Sequence, residues 1–413
     1  MNSLRVALDC RIPNFQQGIG TAILSLAHAL CTLPGNAEHY TFIIFEDHQP
    51  LFQGLPAERA AVLSVPRPAV SSVRNQLNRL FGLRTGWRIA RAAFGPIPAS
   101  DGTIEGCGFD VVHFPTPVGY ATRIPSIYQP WDLQHIHLPQ FFARHDRIWR
   151  NRVYKAMCRQ ARFVSIQTEW GKNDLVQQYG IEPEKIAVIP WGSVLSAYPQ
   201  PDRGDVQATR EKYRLPDRFL FFPAITWPHK NHEVAIRALA ELKHQGIDVT
   251  LVCTGDRTDH YPRLEELAEQ CGVLDRLKFL GFVTPVELQS IYSLATAMIF
   301  PSRFEGFGLP VLEAFQSGLP VLCARATVLP EVAEDAAFFF DPDDAKDAAQ
   351  AIRRLVSSPS LRAEMMQRGF ARASVLTISK TAEQFRELYH KTAAADAGEA
   401  SKPLALAGQG GTR

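Results

Sequence analysis

Short apolar runs alternating with amphipathic stretches constrain this chain more than any other feature. In the second half the runs fall at residues 219–224, 249–255, 277–282, 297–302, 320–325 and 337–341. Helical patterns separate most of them; in 231–245 the apolar positions include Val234, Ile236, Leu239 and Leu242. Apolar strands alternating with helices predict a parallel sheet covered on both faces. The first half repeats the theme more loosely at 4–9, 40–45, 61–66, 111–114, 124–128, 163–167 and 186–190. Between the halves, residues 191–217 are rich in Pro, Gly, Ser and charge and read as a linker. Two α/β domains joined near residue 200 leave a cleft between them, a common place for ligands.

Bulk properties narrow the function. A chain of 413 residues with 46% hydrophobic and 21% charged residues is an ordinary globular one, long enough for two cores. A net charge of +2 gives no reason to expect nucleic acid as a partner. The seven cysteines are scattered without metal-type spacing and read as buried free thiols in a reducing compartment. No apolar run reaches the length of a membrane span, and the first residues enter a strand rather than a signal peptide. The expectation is a cytoplasmic chain.

The most informative stretch is Pro301-Ser-Arg-Phe-Glu305-Gly306-Phe307-Gly308-Leu309-Pro310-Val-Leu-Glu313-Ala-Phe315, directly after the apolar run 297–300. The order is strand, loop, helix, with Pro310 suited to a first helical turn. That places a helix amino end at the carboxyl edge of a sheet, where open α/β sheets bind ligands. Backbone N–H groups from Phe307 to Leu309 and the helix dipole suit a pyrophosphate. Glu305 and Glu313, with seven residues between them, suit sugar or ribose hydroxyls. Sugars joined by a pyrophosphate make a nucleotide-sugar. Taken alone, two such acids read equally as surface charges favoured near a helix start.

The full string closely resembles the donor-binding signature of the retaining family 4 glycosyltransferases. The resemblance implies the GT-B fold, two Rossmann-like domains facing a central cleft. It also implies that Glu313 binds the donor ribose and that Glu305 lies beside the transferred sugar. The domains are then 1–200 for the acceptor and 201–376 for the nucleotide-sugar. A last helix at 377–391 crosses back to the first domain, before a small, polar tail at 392–413 expected to be disordered.

Other segments fit the same resemblance. Pro223-Ala-Ile225-Thr-Trp-Pro-His229-Lys230-Asn231-His232 is similar to the family's phosphate-binding motif, with Lys230 reaching the diphosphate and Asn231 as a probable helix cap. Where an arginine usually stands five residues earlier, this chain has Ile225; His229 and Arg303 are the candidate replacements. Gly18 and Gly20, in Gln16-Gln-Gly18-Ile-Gly20-Thr, match a glycine-rich loop bordering the donor phosphates, ahead of a helix at 22–30. The three-glycine dinucleotide fingerprint is missing, which counts against a dehydrogenase. Gly255, closing the run 249–255, is grouped with the donor-binding residues. In Pro130-Trp131-Asp132-Leu-Gln-His135-Ile-His137, Trp131 stands where many relatives carry a cleft histidine. Asp132 and His135 therefore join Lys230 and Glu305 as catalytic candidates, with His137 beside them. Metal ligation by the two histidines is the less favoured reading.

Asp341-Pro-Asp343 superficially resembles a metal-binding acid pair of another glycosyltransferase fold. The preferred reading is that these acids end a strand and cap a helix at 345–355. No metal is expected.

Residues 59–100 carry seven arginines and no acids. A helix at 70–94 would interleave Leu77, Leu80, Phe81, Leu83, Trp87 and Ile89 among them, and two readings are even. One is contact with an anionic inner-leaflet membrane surface; the other is a solvated face over ordinary core. For a second basic run, 144–162, the solvated face is preferred.

The expected activity is metal-independent, retaining transfer of a hexose from a nucleotide diphosphate sugar to a glycan or lipid-linked acceptor in surface-polysaccharide synthesis. Mannose is the first guess, with GDP-mannose as donor and no cofactor. The alternative is a nucleotide-sugar epimerase or hydrolase on the same fold.

Overall fold

The computed structural model describes residues 3–13, 15, 18–35, 37–67, 97, 98, 100–195 and 200–394. The segment 70–94 and the chain beyond 394 lie outside these residues, as does Gln16 of the glycine-rich loop.

The first half runs β1 (Leu4–Asp9), α1 (Ile19–Thr32), β2 (Glu38–Phe45), β3 (Ala60–Val65), β4 (Val111–Phe114), β5 (Ser126–Tyr128), α2 (Gln134–His137), α3 (Arg144–Gln160), β6 (Phe163–Ile166), α4 (Glu169–Tyr179) and β7 (Ile186–Val188). Its seven described strands are parallel, in the order β3-β2-β1-β4-β5-β6-β7. The second half runs α5 (Arg203–Tyr213), β8 (Phe219–Pro223), α6 (His232–His244), β9 (Thr250–Thr254), α7 (Tyr261–Gln270), β10 (Leu277–Phe279), α8 (Pro285–Leu294), β11 (Ala297–Phe300), α9 (Leu309–Gln316), β12 (Val321–Ala324), α10 (Leu329–Ala333), β13 (Ala337–Phe340), α11 (Ala345–Ser357), α12 (Pro359–Val375) and α13 (Ile378–Ala394). Its six described strands are also parallel, ordered β10-β9-β8-β11-β12-β13.

Every apolar run predicted as a strand contains one, with ends that differ by up to three residues. Central strands such as β4, β8 and β11 are buried nearly throughout because helices cover both faces. Both sheets share one topological device. The chain winds outward from β1 to β3, then returns to lay β4 against β1; likewise it returns from β10 to lay β11 against β8. At each such pair the following loops diverge and leave a crevice at the carboxyl edge.

The predicted linker is corrected. Trp191 is fully buried, with its ring 5.2 Å from Trp131 and 6.1 Å from Phe385. Within the same stretch lies α5, started by a reciprocal capping box: Asp202 accepts from Asp205 N (2.8 Å) and Asp205 accepts from Asp202 N (3.1 Å). Composition pointed to a linker because a polar outer helix and a buried tryptophan turn share turn-forming residues.

Helix α13 returns to the first sheet. Tyr389 Oη lies 2.9 Å from His113 Nδ1 of β4, His390 Nε2 lies 2.7 Å from Glu38, and Thr381 Oγ1 donates to Pro190 O at 2.8 Å. Arg59, first of the basic run, is buried against Glu38 at 3.2 Å, and Arg67 pairs with Asp47 at 2.7 Å. These two arginines are therefore structural. In α3 the residues Val153, Tyr154, Met157 and Cys158 are buried while Arg144, Arg147, Arg152 and Arg159 are exposed, an ordinary amphipathic helix. Among the described residues no helix is long and apolar enough to cross a membrane.

Where α13 begins, a Cβ added to Gly192 would lie 2.0 Å from Ile378 N and 2.2 Å from Thr377 C. Backbone cannot retreat as a side-chain tip does, so overpacking here should cost at least about 1–3 kcal/mol. Gly192→Ala is expected to lower the melting temperature by several degrees, whereas Gly106→Ala, with open space around it, should not. Equal melting curves for the two variants would contradict this packing.

Candidate active site

The loops that follow β8 and β11 leave the second sheet at its switch point, and each carries one half of an ion pair. Lys230 Nζ lies 2.7 Å from Glu305 Oε1, with the side chains 21% and 11% exposed. Lys230 was expected on a diphosphate and Glu305 on a sugar; in the structure the two groups satisfy each other.

The loops are braced from behind. Asn231 sits at the amino end of α6 in the left-handed region (φ 61), but its side chain does not cap the helix. Its Nδ2 instead donates to Pro301 O (3.1 Å) and Pro342 O (2.7 Å), tying together the loops after β8, β11 and β13. Arg303 N donates to His229 O at 2.9 Å. At Gly255 (φ 112) an added Cβ would meet Ile225 N at 2.8 Å and Ala224 C at 2.9 Å, so only glycine lets the β9 end press against the lysine loop.

Of the two proposed substitutes for the missing arginine, His229 supplies no cation. Burial first, and the charge of Lys230 second, push His229 down to about 3, so it is neutral at ordinary pH. Arg303 is held by Asp343 at 3.0 Å. The helix α11 is capped by Asp344, which accepts from Lys346 N (2.8 Å) and Asp347 N (3.1 Å). The cap is thus one residue beyond the predicted pair. Asp341 accepts from Asp343 N at 2.8 Å.

Helix α9 starts at Leu309 from Gly308, whose φ of 93 favours glycine and whose added Cβ would strike Leu329 at 2.8 Å. Phe307 is buried, so this turn presents backbone rather than side chain. Glu305 is anchored through its own backbone: its N–H donates to Thr327 Oγ1 (3.2 Å), and Thr327 adopts a strained φ of 46. One turn into α9, Glu313 is 9% exposed and accepts from Tyr292 Oη at 2.8 Å. Burial raises its carboxyl to about 7 despite that hydrogen bond.

The first domain closes the site. Gly306 lies against Trp131 and Asp132: a Cβ there would be 2.9 Å from Trp131 O and 3.2 Å from Asp132 Oδ2. Asp132 is raised above its ordinary range by burial, with Glu305 adding to the rise and Arg150 and Lys230 opposing it. The contact with Gly306 brings Asp132 beside the loop that carries Glu305. Trp131 holds an unusual φ of 68 and turns its indole inward, donating to Pro115 O at 2.8 Å. It cannot perform a histidine's role.

His135 does not reach this cleft. It is 2% exposed, packed against Phe142 and Tyr154, with Nε2 3.2 Å from Tyr179 Oη. Burial and nearby arginines push it down to about 4. His137 lies at the domain interface instead, bonded to Asp174 (2.8 Å) with its ring 5.3 Å from Phe304. Gly18 is the exposed amino cap of α1, while Gly20 is buried inside that helix rather than in a loop.

Tyr292, Thr327 and Glu331 had no sequence signal. Glu331 of α10 accepts from Glu169 N (2.7 Å) and Trp170 N (2.9 Å), placing a carboxylate on the amino end of α4 across the interface.

Fold and site define a two-domain protein that gathers one lysine, one helix terminus and three carboxylates around the cleft. Residues 17–195 match the sequence model of glycosyltransferase family 4, and residues 205–372 that of the group 1 glycosyl transferases. The chain belongs to these glycosyltransferases. The serotype-specific mannosyltransferase WbdA of Escherichia coli is 33% identical over 211 residues, 48% of this chain and 25% of WbdA. The O-antigen chain mannosyltransferase RfbU of Salmonella typhimurium is 27% identical over 228 residues, 55% of this chain and 60% of RfbU. The D-inositol 3-phosphate glycosyltransferase of Acidothermus cellulolyticus is 34% identical over 243 residues, 56% of this chain and 53% of that protein. These matches thus span between a quarter and three-fifths of the relatives' lengths. Sucrose-phosphate synthase of Thermosynechococcus elongatus superposes with a TM-score of 0.69 at 18% identity, covering 95% of this chain and 100% of that one. Anabaena HepE, solved with UDP and glucose, gives 0.68 at 19% identity, covering 94% and 100%. At such identities the likeness is one of fold, and that fold is GT-B.

Glu313 yields a test independent of any ligand. In the unfolded chain its carboxyl titrates near 4.5, and in the folded protein near 7. The native state therefore holds a proton that the unfolded state releases. This group's stabilisation is complete below 4.5, is lost as pH rises through 7, and the loss amounts to at most about 3 kcal/mol. Glu313→Gln keeps an acceptor for Tyr292 and removes the charge. It is expected to raise the melting temperature at pH 8, with the gain shrinking toward pH 5. A lower melting temperature at pH 8 would contradict the burial of a charged group here.

Proposed function

We propose that this chain is a retaining, metal-independent hexosyltransferase, moving a hexose from a nucleotide diphosphate sugar to a glycan or lipid-linked acceptor in surface-polysaccharide assembly. The observation that carries the reading is the Lys230–Glu305 pair at the amino end of α9, with Glu313 one helical turn further in. A diphosphate entering the crevice takes Lys230 and the free end of α9, and the ribose hydroxyls take Glu313. Glu305, released from Lys230, accepts from the transferred sugar. Asp132, beside that glutamate's loop on the first domain, stands where sugar and acceptor meet.

Mannose is the first donor sugar to test, because WbdA and RfbU are mannosyltransferases; HepE brings UDP as a second base to test beside GDP. Support for metal independence comes from the acids near the site. Asp343 is occupied by Arg303 and Asp344 by its helix, while Lys230 and the α9 terminus supply positive potential for the leaving diphosphate.

The experiment is a turnover assay over GDP-mannose and other nucleotide-sugars, with and without glycan acceptors and with excess chelator. The expected result is acceptor-dependent turnover that survives chelation and retains the donor's anomeric configuration. Lys230→Ala should lose about 100-fold or more in kcat, since one fixed donor to a developing anion is worth that much in a dry site. Glu305→Ala should lose turnover while keeping most of its affinity for the bare nucleoside diphosphate. Donor consumption without acceptor would favour the epimerase or hydrolase reading. Abolition by chelator with recovery on manganese or magnesium would overturn metal independence.

A further inference from the structure

Glu313 is a buried carboxylate without a counter-cation: among the described residues, burial and the hydroxyl of Tyr292 are what act on it. Burying a charge in that way is costly, and pairing or neutralisation is the usual remedy. Of the ionisable groups on surrounding elements, Tyr292 comes from α8. Cys323 on β12 is a buried neutral thiol, and the opposite charges of Lys230 and Glu305 offset each other at the loop.

Tyr292 is built to hold its hydroxyl in place. Its side chain is 1% exposed, its ring meets Phe221 of β8 edge-on at 5.1 Å, and its Oη donates to Glu313 Oε2 at 2.8 Å. Helix α8 is fixed at its start by the reciprocal cap of Thr284 and Glu287 and by Pro285. A phenylalanine would fill the same volume, so the hydroxyl is the part that packing does not require.

We propose that Tyr292 is a positioning residue for donor recognition, its hydroxyl orienting the Glu313 carboxylate as the acceptor for the ribose of a bound nucleotide. The inference rests on the reading that Glu313 meets the ribose. A carboxylate accepting from one fixed hydroxyl is pinned in direction, and the bond favours its ionised form. That form is the one able to accept both ribose hydroxyls. Tyr292 is itself pushed well above its ordinary range and stays a donor. Nucleotide affinity should therefore rise with pH through about 7, where Glu313 ionises, and level off above it.

The test is calorimetric titration of the full chain between pH 5.5 and 9 with GDP, UDP and ADP and with their 2′-deoxyribose counterparts. The native protein should prefer the ribonucleotide and gain affinity through pH 7. Tyr292→Phe should lose about tenfold at pH 7 and regain only part of that loss at pH 9, because raising the pH restores the ionisation of Glu313 but not its orientation. Placing 3-fluorotyrosine at position 292, a stronger donor, should move the curve toward lower pH. Glu313→Gln should abolish the pH dependence. A native protein blind to the 2′-hydroxyl, or a Glu313→Gln variant that binds like it, overturns the ribose reading and the role of Tyr292 with it. Clear ribose preference with a Tyr292→Phe profile that is unchanged, or lowered equally at every pH, overturns the positioning role alone.

Discussion

The site depends on two neighbouring strands whose loops leave in opposite directions. Because β11 returns to lie beside β8 rather than beside β10, a crevice must open at their carboxyl ends. Lys230 hangs from one wall and Glu305 from the other, and their 2.7 Å contact spans it. Asn231 prevents the walls from drifting, since its one amide group binds the carbonyls of Pro301 and Pro342 at once. Gly255 and Gly308 are needed where backbone presses on backbone or on Leu329. The same winding rule places the carboxyl end of β1 at the first sheet's own switch point, with Gly18 at the amino end of α1.

Electrostatic arrangement follows from that geometry. An ion pair in a narrow cleft is a poor source of stability, because desolvation offsets much of the attraction. In the proposed function it serves as a placeholder: a diphosphate would replace the carboxylate on Lys230, and the sugar would replace the amine on Glu305. Glu313 makes the opposite trade, giving up stability at neutral pH to hold a carboxylate away from water. The domain interface adds Glu331 on the amino end of α4 and Phe304 between His137 and Trp170, so the loop bearing Glu305 is packed against both domains.

Much of this was legible in the chain. Period and apolarity located the strands, because strands covered on both faces must be apolar throughout. The α9 string located the loop that carries Glu305 and the start of α9, because proline and glycines mark a helix start at a strand end. The failures have physical causes. His135 sits in a segment of aromatic and histidine residues whose facing is set by a four-residue helix, and sequence does not tell which histidine of His135 and His137 turns inward. Trp191 looked like part of a linker because its partners Trp131 and Phe385 are distant in the chain. Tyr292 and Thr327 act only through contacts of long sequence separation, which no local pattern encodes.

The most direct test of the account is a crystal structure of the protein with whichever of GDP, UDP or ADP binds most tightly. The expected result is the diphosphate at the amino end of α9, Lys230 Nζ moved from Glu305 onto a phosphate oxygen, and Glu313 within hydrogen-bond distance of the ribose hydroxyls. A nucleotide bound elsewhere, with the Lys230–Glu305 pair intact, would contradict it.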